Sequence, residues 1–393
     1  MNTKLSNTVH WAGFIDWSVR DFHGYRTERG STYNAYLVSG QKHALIDTVK
    51  APYAGELLTQ LRSMVSLNQI EYIVCNHAEP DHAGGLEQVL AACPNATVVC
   101  NKKCSDALGL HFDTTKWKFR IVTEGEKLDL GGLTLQFFDT PMCHWPESMV
   151  TYLIEEQILF SMDAFGQHYA TPKRFDDEIP LDVALGEAQT YYANIVMPYG
   201  RAVGAALAKL ETLPLKMIAP SHGVVWRTHI DKIIARYKDW MVCKANRKIV
   251  IAYASMWNST RTMAEAIAEG ALESDVDVRL VDIDTVHDTD IVSMALDSAC
   301  LAFGSPTLNH GVMPRMASAL TYLRGLRPTG KFGLIFGSYG WAPGGIDELL
   351  RFQQAMQITP LCEPIKCRFR PDAAMLEKCR EAGWLLAKKA LEA

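Results

Sequence analysis

The stretch His77-Ala78-Glu79-Pro80-Asp81-His82 constrains this chain more than any other. Four side chains able to bind metal fall within six positions, and Ala83-Gly84-Gly85 follows. The apolar run 70–75 just before it reads as a buried strand, and 85–90 just after it has helical spacing. The six residues are therefore predicted to form a strand-to-helix loop. Residues two apart diverge on a helix, so a helix would not bring His77 and Glu79 to one face. Pro80 also argues against a helix interior. A loop at a strand's end aims all four side chains into one cleft. Read as an ordinary polar turn, the stretch would need two histidines and two carboxylates to meet beside a buried strand by coincidence.

Further candidates follow other strands. His144 comes after a predicted strand at 133–138, Asp163 after 158–160, and His222 after 216–220. Taken singly, each is the kind of polar residue a strand end often carries. Their common placement predicts that they meet His77 at one rim. Strands are also expected at 33–38, 44–47, 96–99, 119–122 and 149–154, with helices at 53–65, 183–196, 203–213 and 230–242. Strands dominate, which predicts a sheet sandwich covered by helices over residues 1–247. The run Arg174-Phe175-Asp176-Asp177-Glu178 reads as a solvated loop. His111, His229 and His287 read as surface or helix residues, and His168 is undecided.

The length of 393 residues leaves room for a second domain, and the texture changes at 248. Residues 248–253 form a continuous apolar strand. Ser255, Met256, Trp257, Asn258, Ser259 and Thr260 come next, then a helix expected at 261–272. Hydroxyl and amide groups opening onto a helix start form a natural phosphate cradle. Further strands at 278–282, 299–303 and 332–336 predict an open parallel sheet with a ligand at its C-terminal edge. Two more loops fall there: Ser305, Pro306, Thr307, Leu308, Asn309 and His310, and then Ser338, Tyr339, Gly340 and Trp341. Trp257 and Trp341 are equally readable as core aromatics.

Composition excludes several classes. A net charge of -5 gives no electrostatic case for nucleic acid or an anionic membrane. No apolar run is long enough to span a bilayer. The N-terminus lacks the apolar core of a signal peptide, which predicts a cytoplasmic protein. None of the 10 cysteines forms a Cys-x-x-Cys pair, so reduced thiols are expected and no rubredoxin-like module.

The pattern His77-x-Glu79-x-Asp81-His82, with His144, Asp163 and His222, resembles the metallo-β-lactamase-like domain of flavodiiron proteins. The likeness extends to Asp47, to residues 20–25, to His144-Trp145-Pro146, and effectively to the whole chain. The zinc hydrolases of that fold carry histidine in place of Glu79. The resemblance implies that His77, Glu79 and His144 bind one iron, that Asp81, His82 and His222 bind another, and that Asp163 bridges. Two histidines and a carboxylate per metal suit non-haem ferrous iron. The three later loops resemble the phosphate and isoalloxazine loops of flavodoxins, which implies FMN. Trp257 and Ser259 replace the usual Thr and Gly of the first loop.

The expected fold is thus a metallo-β-lactamase-like αββα sandwich at 1–247, followed by a flavodoxin-like doubly wound parallel sheet at 248–393. The expected function is transfer of electrons from rubredoxin or a similar donor, through FMN, to a diiron site. There dioxygen is reduced to water, nitric oxide to nitrous oxide, or both. His23 and the Tyr191-Tyr192 pair are candidate proton donors at the pocket, Tyr192 being the one singled out. The resemblance further implies a head-to-tail homodimer. Two alternatives stay open: a zinc hydrolase fused to a flavin domain, and an electron-transfer flavoprotein with a structural metal site.

Overall fold

The near-continuous apolar runs of the early strands require both faces of their sheet to be covered. The computed structural model describes residues 3–393, and there they are. The chain divides into two compact units. The first holds the residues up to His23, Thr27–Tyr191 and Tyr199–Lys238, and the second holds Gly24–Arg26, Tyr192–Pro198 and Asp239–Ala393.

Two sheets build the first unit. One runs in the order Thr3–Lys4, Val9–Trp11, Tyr36–Ser39, His43–Ile46, Ile70–Val74, Thr97–Cys100, Phe119–Ile121. It is antiparallel as far as His43–Ile46 and parallel beyond. The other runs Lys127–Asp129, Thr134–Asp139, Met149–Leu153, Ile158–Met162, Met217–Pro220, with only the last pairing parallel. Side chains alternate across a strand. Val38, Ile46, Val74 and Val99 therefore face Leu135, Phe137, Leu153 and Phe160 of the other sheet in one core cluster. Their neighbours Leu37, Leu45, Ile73 and Val98 pack instead with Leu57 and Leu61 of the helix Ala54–Met64 and Val89 of Leu86–Ala92. Each such fully buried side chain stabilises the fold by about 1.5–3 kcal/mol.

Two local expectations are corrected. Residues 77–82 are not all loop. Pro80–Ala83 forms a single helical turn that carries Asp81 and His82. Proline stands at its first turn, where the fixed φ is pre-organised for a helix and the missing N–H is not needed. The run 174–178 is solvated only in part, because Arg174, Phe175 and Asp176 are buried while Asp177 and Glu178 are exposed. The Asp176 carboxylate accepts backbone N–H bonds from Arg227, Thr228 and His229, just ahead of the helix Ile230–Trp240.

The second unit is a fully parallel sheet in the order Asp277–Asp282, Asn246–Tyr253, Ser298–Gly304, Phe332–Tyr339. Thr359–Pro360 and Ile365–Arg368 both pair with the last of these. Helices Ser259–Leu272 and Ala373–Ala390 cover one face together. They meet at two glycines: a Cβ at Gly383 would lie 2.0 Å from the Ile267 carbonyl oxygen, and one at Gly270 2.0 Å from that of Arg380. The loops at 254–258, 305–313 and 340–343 leave the C-terminal ends of three adjacent parallel strands.

Candidate metal centre and cofactor cavity

The loop that carries His77 is gripped at both ends by one turn. Asp47 follows the strand His43–Ile46 with φ of 55°, a left-handed conformation that Asp tolerates. Its Oδ1 accepts from the Asn76 amide at 2.8 Å and its Oδ2 from the Asn76 side chain at 2.9 Å. The Thr48 amide and hydroxyl both donate to the His82 carbonyl. His222 sits after Met217–Pro220 and is followed by Gly223 at φ of 80°. A Cβ there would lie 2.3 Å from Gln167 Oε1, so the turn requires glycine.

The seven expected ligands converge in two groups. His77, Glu79, His144 and Asp163 form one, and Asp81, His82 and His222 the other; within each, the donor atoms lie within 4.8 Å of one another. Glu79 Oε2 is 3.2 Å from both His77 Nε2 and His144 Nε2. Asp81 Oδ2 is 3.1 Å from His222 Nε2, and its Oδ1 is 3.4 Å from His82 Nε2. Asp163 faces both groups. Its Oδ2 lies 3.4 and 3.3 Å from Nε2 of His77 and His144, and its Oδ1 3.0 and 3.3 Å from Nε2 of His82 and His222.

These separations fit metal ions between the donors. Bonds of about 2.0–2.2 Å at angles of about 90–109° put neighbouring ligand atoms about 2.8–3.6 Å apart. The hydrogen-bond geometry agrees. Asp81 Oδ1, His82 Nε2 and Asp163 Oδ2 are buried without a hydrogen bond of acceptable geometry, although each has an opposite charge close by. An unsatisfied buried polar atom is costly, and three at one spot fit a site that holds a cation.

Charge tells the same story. Burial disfavours the imidazolium forms, yet the carboxylates overcome it and lift His77, His82 and His144 to about 9 and His222 to about 10. Burial likewise opposes the carboxylate charges, but the imidazoles hold Glu79 and Asp81 below the usual range and Asp163 well below it. The cluster is a ready-made cation trap in which a proton stands where a divalent ion binds.

The surrounding shell fixes the rings. Glu147 Oε1 accepts from His77 Nδ1 at 2.8 Å, which leaves Nε2 to face the cluster. Glu147 was not foreseen; its place three residues beyond His144 was the one available signal. The Thr32 carbonyl holds His222 Nδ1 at 2.6 Å. His23 lies as expected at the rim, with Nε2 3.5 Å from Glu79 Oε1 and a side chain 75% exposed. Of the expected tyrosine pair, it is Tyr191 rather than Tyr192 that reaches the cluster. The hydroxyl that reaches Asp163 Oδ1, at 2.8 Å, belongs to Tyr191, while the Tyr192 ring packs at a tilt against Trp240. His168 is buried, and burial followed by the nearby His222 pushes its pKa well down. Its Nδ1 lies 2.7 Å from Ser31 Oγ.

In the second unit the three loops enclose a cavity of about 1060 Å³, ample for a cofactor. Met256, Trp257, Asn258, Ser259, the segment 306–310 and the segment 338–342 line it. Trp257 and Trp341 are 88% and 86% exposed at this cavity, so the reading of them as core residues fails. Asn258, in the left-handed conformation, caps the helix Ser259–Leu272, whose start faces the cavity. Three expected contacts turn elsewhere. The Thr260 hydroxyl is fully buried and pairs with Ser338 Oγ at 2.9 Å. Ser305 Oγ is buried and accepts from the Met313 amide, and Ser255 Oγ accepts from the Arg261 amide. Thr262, Phe369 and Arg370 line the cavity unforeseen.

Comparison with known proteins follows this division. Residues 32–223 match the family model described as ODP family beta lactamase, and residues 251–383 match Flavodoxin. The chain is 38% identical to a nitric oxide reductase of Moorella thermoacetica, over 98% of each chain. Its structure is similar to rubredoxin oxygen:oxidoreductase from the anaerobe Desulfovibrio gigas, with a TM-score of 0.97 and 36% identity over 100% of this chain and 99% of that one. It is also similar to the flavodiiron protein from Giardia intestinalis, at a TM-score of 0.97 and 35% identity over 100% of this chain and 97% of that one.

Proposed function

Because the chain belongs to the flavodiiron protein family, we propose that it is an oxidoreductase passing electrons from an external donor through FMN to a diiron centre that reduces dioxygen to water, nitric oxide to nitrous oxide, or both. The observation that carries this is Asp163, whose two oxygens each face a different pair of imidazoles. His77, Glu79 and His144 would hold one iron and Asp81, His82 and His222 the other, with Asp163 between them. Two imidazoles and one terminal carboxylate per metal favour ferrous iron over a closed structural zinc site. The presence of Glu79, where a third histidine would suit zinc, argues against the hydrolase alternative.

Bound iron and FMN supply the electrons and the Lewis acidity for the reduction. The chain's own residues position and protonate. Glu147 and the Thr32 carbonyl keep the Nδ1 protons of His77 and His222 turned outward, so both Nε2 atoms stay aimed at the cluster. Tyr191 donates to Asp163 Oδ1 and holds that carboxylate in its orientation. His23 stands between solvent and Glu79, where its Nε2 delivers the protons that the reduction consumes. The aromatic walls Phe22 and Trp145, against the rings of His222 and His77, keep the cluster dry.

In the second unit, Met256, Trp257, Asn258 and Ser259 would hold the FMN phosphate end, and the loops at 306–310 and 338–341 the ring system. A rubredoxin-type protein is the proposed donor, in line with the name of the Desulfovibrio relative. A head-to-tail homodimer and a cytoplasmic location belong to the same proposal. Two tryptophans exposed by 88% and 86% at a cavity mouth favour a partner surface that covers them. Among the described residues no helix is long and apolar enough to cross a membrane.

Metal analysis and gas turnover test the proposal together. Protein purified without air is expected to hold one iron for each of the two ligand groups, and to consume dioxygen or nitric oxide once chemically reduced. Stoichiometric zinc without iron in the active protein would overturn it. The homodimer is tested by pairing a His77→Ala chain with a chain shown to lack FMN. Activity in their purified heterodimer is expected, and an inactive heterodimer with its remaining cofactors present rejects transfer across the interface.

A further inference from the structure

Charge is distributed unevenly around the cofactor cavity. Among the described residues that line it, Arg370 is the one with a full charge, and no carboxylate lines it. The loop at its helix start is made of Met256, Trp257, Asn258 and Ser259, all neutral. Arg370 follows Phe369, which has φ of 59° and an amide bonded to the Tyr339 carbonyl at 2.7 Å. The same backbone pairing places Arg368 opposite Tyr339. Arg370 is thus tied to the loop of Tyr339, Gly340 and Trp341 rather than to the loop 256–259. Arg368 is already engaged, with Nε on the Gly340 carbonyl at 3.0 Å.

We infer that Arg370 sets the reduction potential of the bound flavin, by favouring the negative charge that its ring acquires on reduction. This rests on the reading of the cavity as an FMN site. Uptake of two electrons from the external donor and one proton from solvent leaves the neutral ring with one negative charge. A guanidinium in the wall favours that state over the oxidised one, and its charge does not titrate at any working pH. A wall without carboxylates adds no opposing field. The ring loop, not the phosphate loop, receives the cation, so the effect falls on the redox equilibrium more than on the holding of the phosphate. Because the arginine is exposed, the effect is moderate and salt-sensitive.

The test is a redox titration of FMN-loaded protein followed by flavin absorbance. Arg370→Gln is expected to retain FMN and to shift the oxidised-to-reduced equilibrium three- to tenfold, which lowers the two-electron midpoint by about 15–30 mV. Arg370→Lys, which keeps the charge, is expected to recover most of it, and the difference between wild type and Arg370→Gln is expected to shrink at high salt. A retained flavin with an unmoved midpoint overturns the inference. So does a variant that loses affinity for FMN but not for riboflavin, since that makes Arg370 a phosphate ligand. Wild-type protein that binds no flavin removes the underlying reading instead, and is seen before any variant is made.

Discussion

The two sites solve opposite problems. The metal cluster gathers four imidazoles and three carboxylates, all buried but the half-buried Glu79 and His144, and their charges are matched by protons or by a cation at the centre of each group. The cofactor cavity is open, nearly neutral and walled by exposed indoles. In the first, hydrogen bonds from Glu147, Thr32 and Tyr191 prescribe where His77, His222 and Asp163 point, and Asp47 anchors the loop that carries His77. In the second, the backbone of three loops supplies the shape, and few side chains have prescribed partners. A small ion held by short bonds demands angular precision, whereas a flat ring needs area. Substitutions should therefore be severe and all-or-none in the cluster, and graded in the cavity.

The sharpest way to break this contrast is Asp163→Asn. The amide keeps the shape but removes the one charge that both ligand groups share. Gas reduction is expected to fall by at least about a hundredfold, more than the loss typical of an outer-shell change, and both irons should be lost together. Retained FMN, measured by absorbance, would show that the cavity is indifferent. Loss of only one iron would show that Asp163 does not couple the groups.

Proton competition comes next. In the metal-free protein the imidazole pKa values stand at about 9 to 10, above the ordinary 6.5. A raised histidine pKa contributes stability that is complete below about pH 6.5 and lost as pH climbs through about 9–10. The depressed carboxylates act in the other direction. Their contribution is present above about pH 4 and lost as pH falls below it. Metal-free protein should thus lose thermal stability steadily from pH 6.5 upward, while iron-loaded protein should not. Apparent iron affinity should rise over the same interval as those protons are displaced. Parallel melting curves for the two forms across this range would contradict the proton-for-metal exchange.

Glu147→Gln is milder. The amide still accepts from His77 Nδ1 but no longer as an anion, so metal affinity is expected to fall about 10–100-fold with FMN unchanged. Competition with a chelator measures it.

Glu147 also marks where sequence reasoning stopped. The ligands were legible because each lies within a few residues of a recognisable strand end, and the sheet-sandwich and parallel-sheet classes followed from apolar periodicity. Glu147 acts on a residue 70 positions earlier, and such a contact leaves no local trace. The choice between Tyr191 and Tyr192 was hidden for a similar reason. The helix Leu181–Tyr191 passes into a π-helical turn at Tyr192–Val196, so the regular helical count no longer says which tyrosine points inward. The inward turn of Thr260 could not be read either, because its partner Ser338 lies on a strand 78 positions later. Asp176 was misread because a charged run suggests solvent, whereas three backbone N–H groups from a distant segment satisfy its carboxylate.

Trp341→Ala tests the graded side of the comparison. An aromatic stack contributes about 0.5–1.5 kcal/mol beyond buried area, so FMN affinity should weaken by about 2–15-fold. Titration of the flavin-free protein with FMN checks this, and iron content should stay at the wild-type value. An all-or-none loss of flavin would mean that the cavity is as tightly prescribed as the cluster.

The smallest expected effect is that of Thr260→Val, which separates a structural hydroxyl from a binding one. Sequence alone placed Thr260 among the phosphate contacts, because it stands at the start of a helix behind a polar loop. In the structure its hydroxyl is fully buried and shares a hydrogen bond with Ser338 Oγ, while Ser259 and Thr262 line the cavity. Valine keeps the branched shape and deletes only the hydroxyl. Loss of that bond should cost about 0.5–1.5 kcal/mol of stability, read as a lower denaturant midpoint at unchanged slope. FMN affinity should change less than in Ser259→Ala, whose side chain lies at the cavity wall. If Thr260→Val weakens FMN binding more than Ser259→Ala while leaving stability intact, the hydroxyl turns from Ser338 to the phosphate when the cofactor binds. The cavity would then hold at least one prescribed polar contact, as the cluster does at His77, His222 and Asp163.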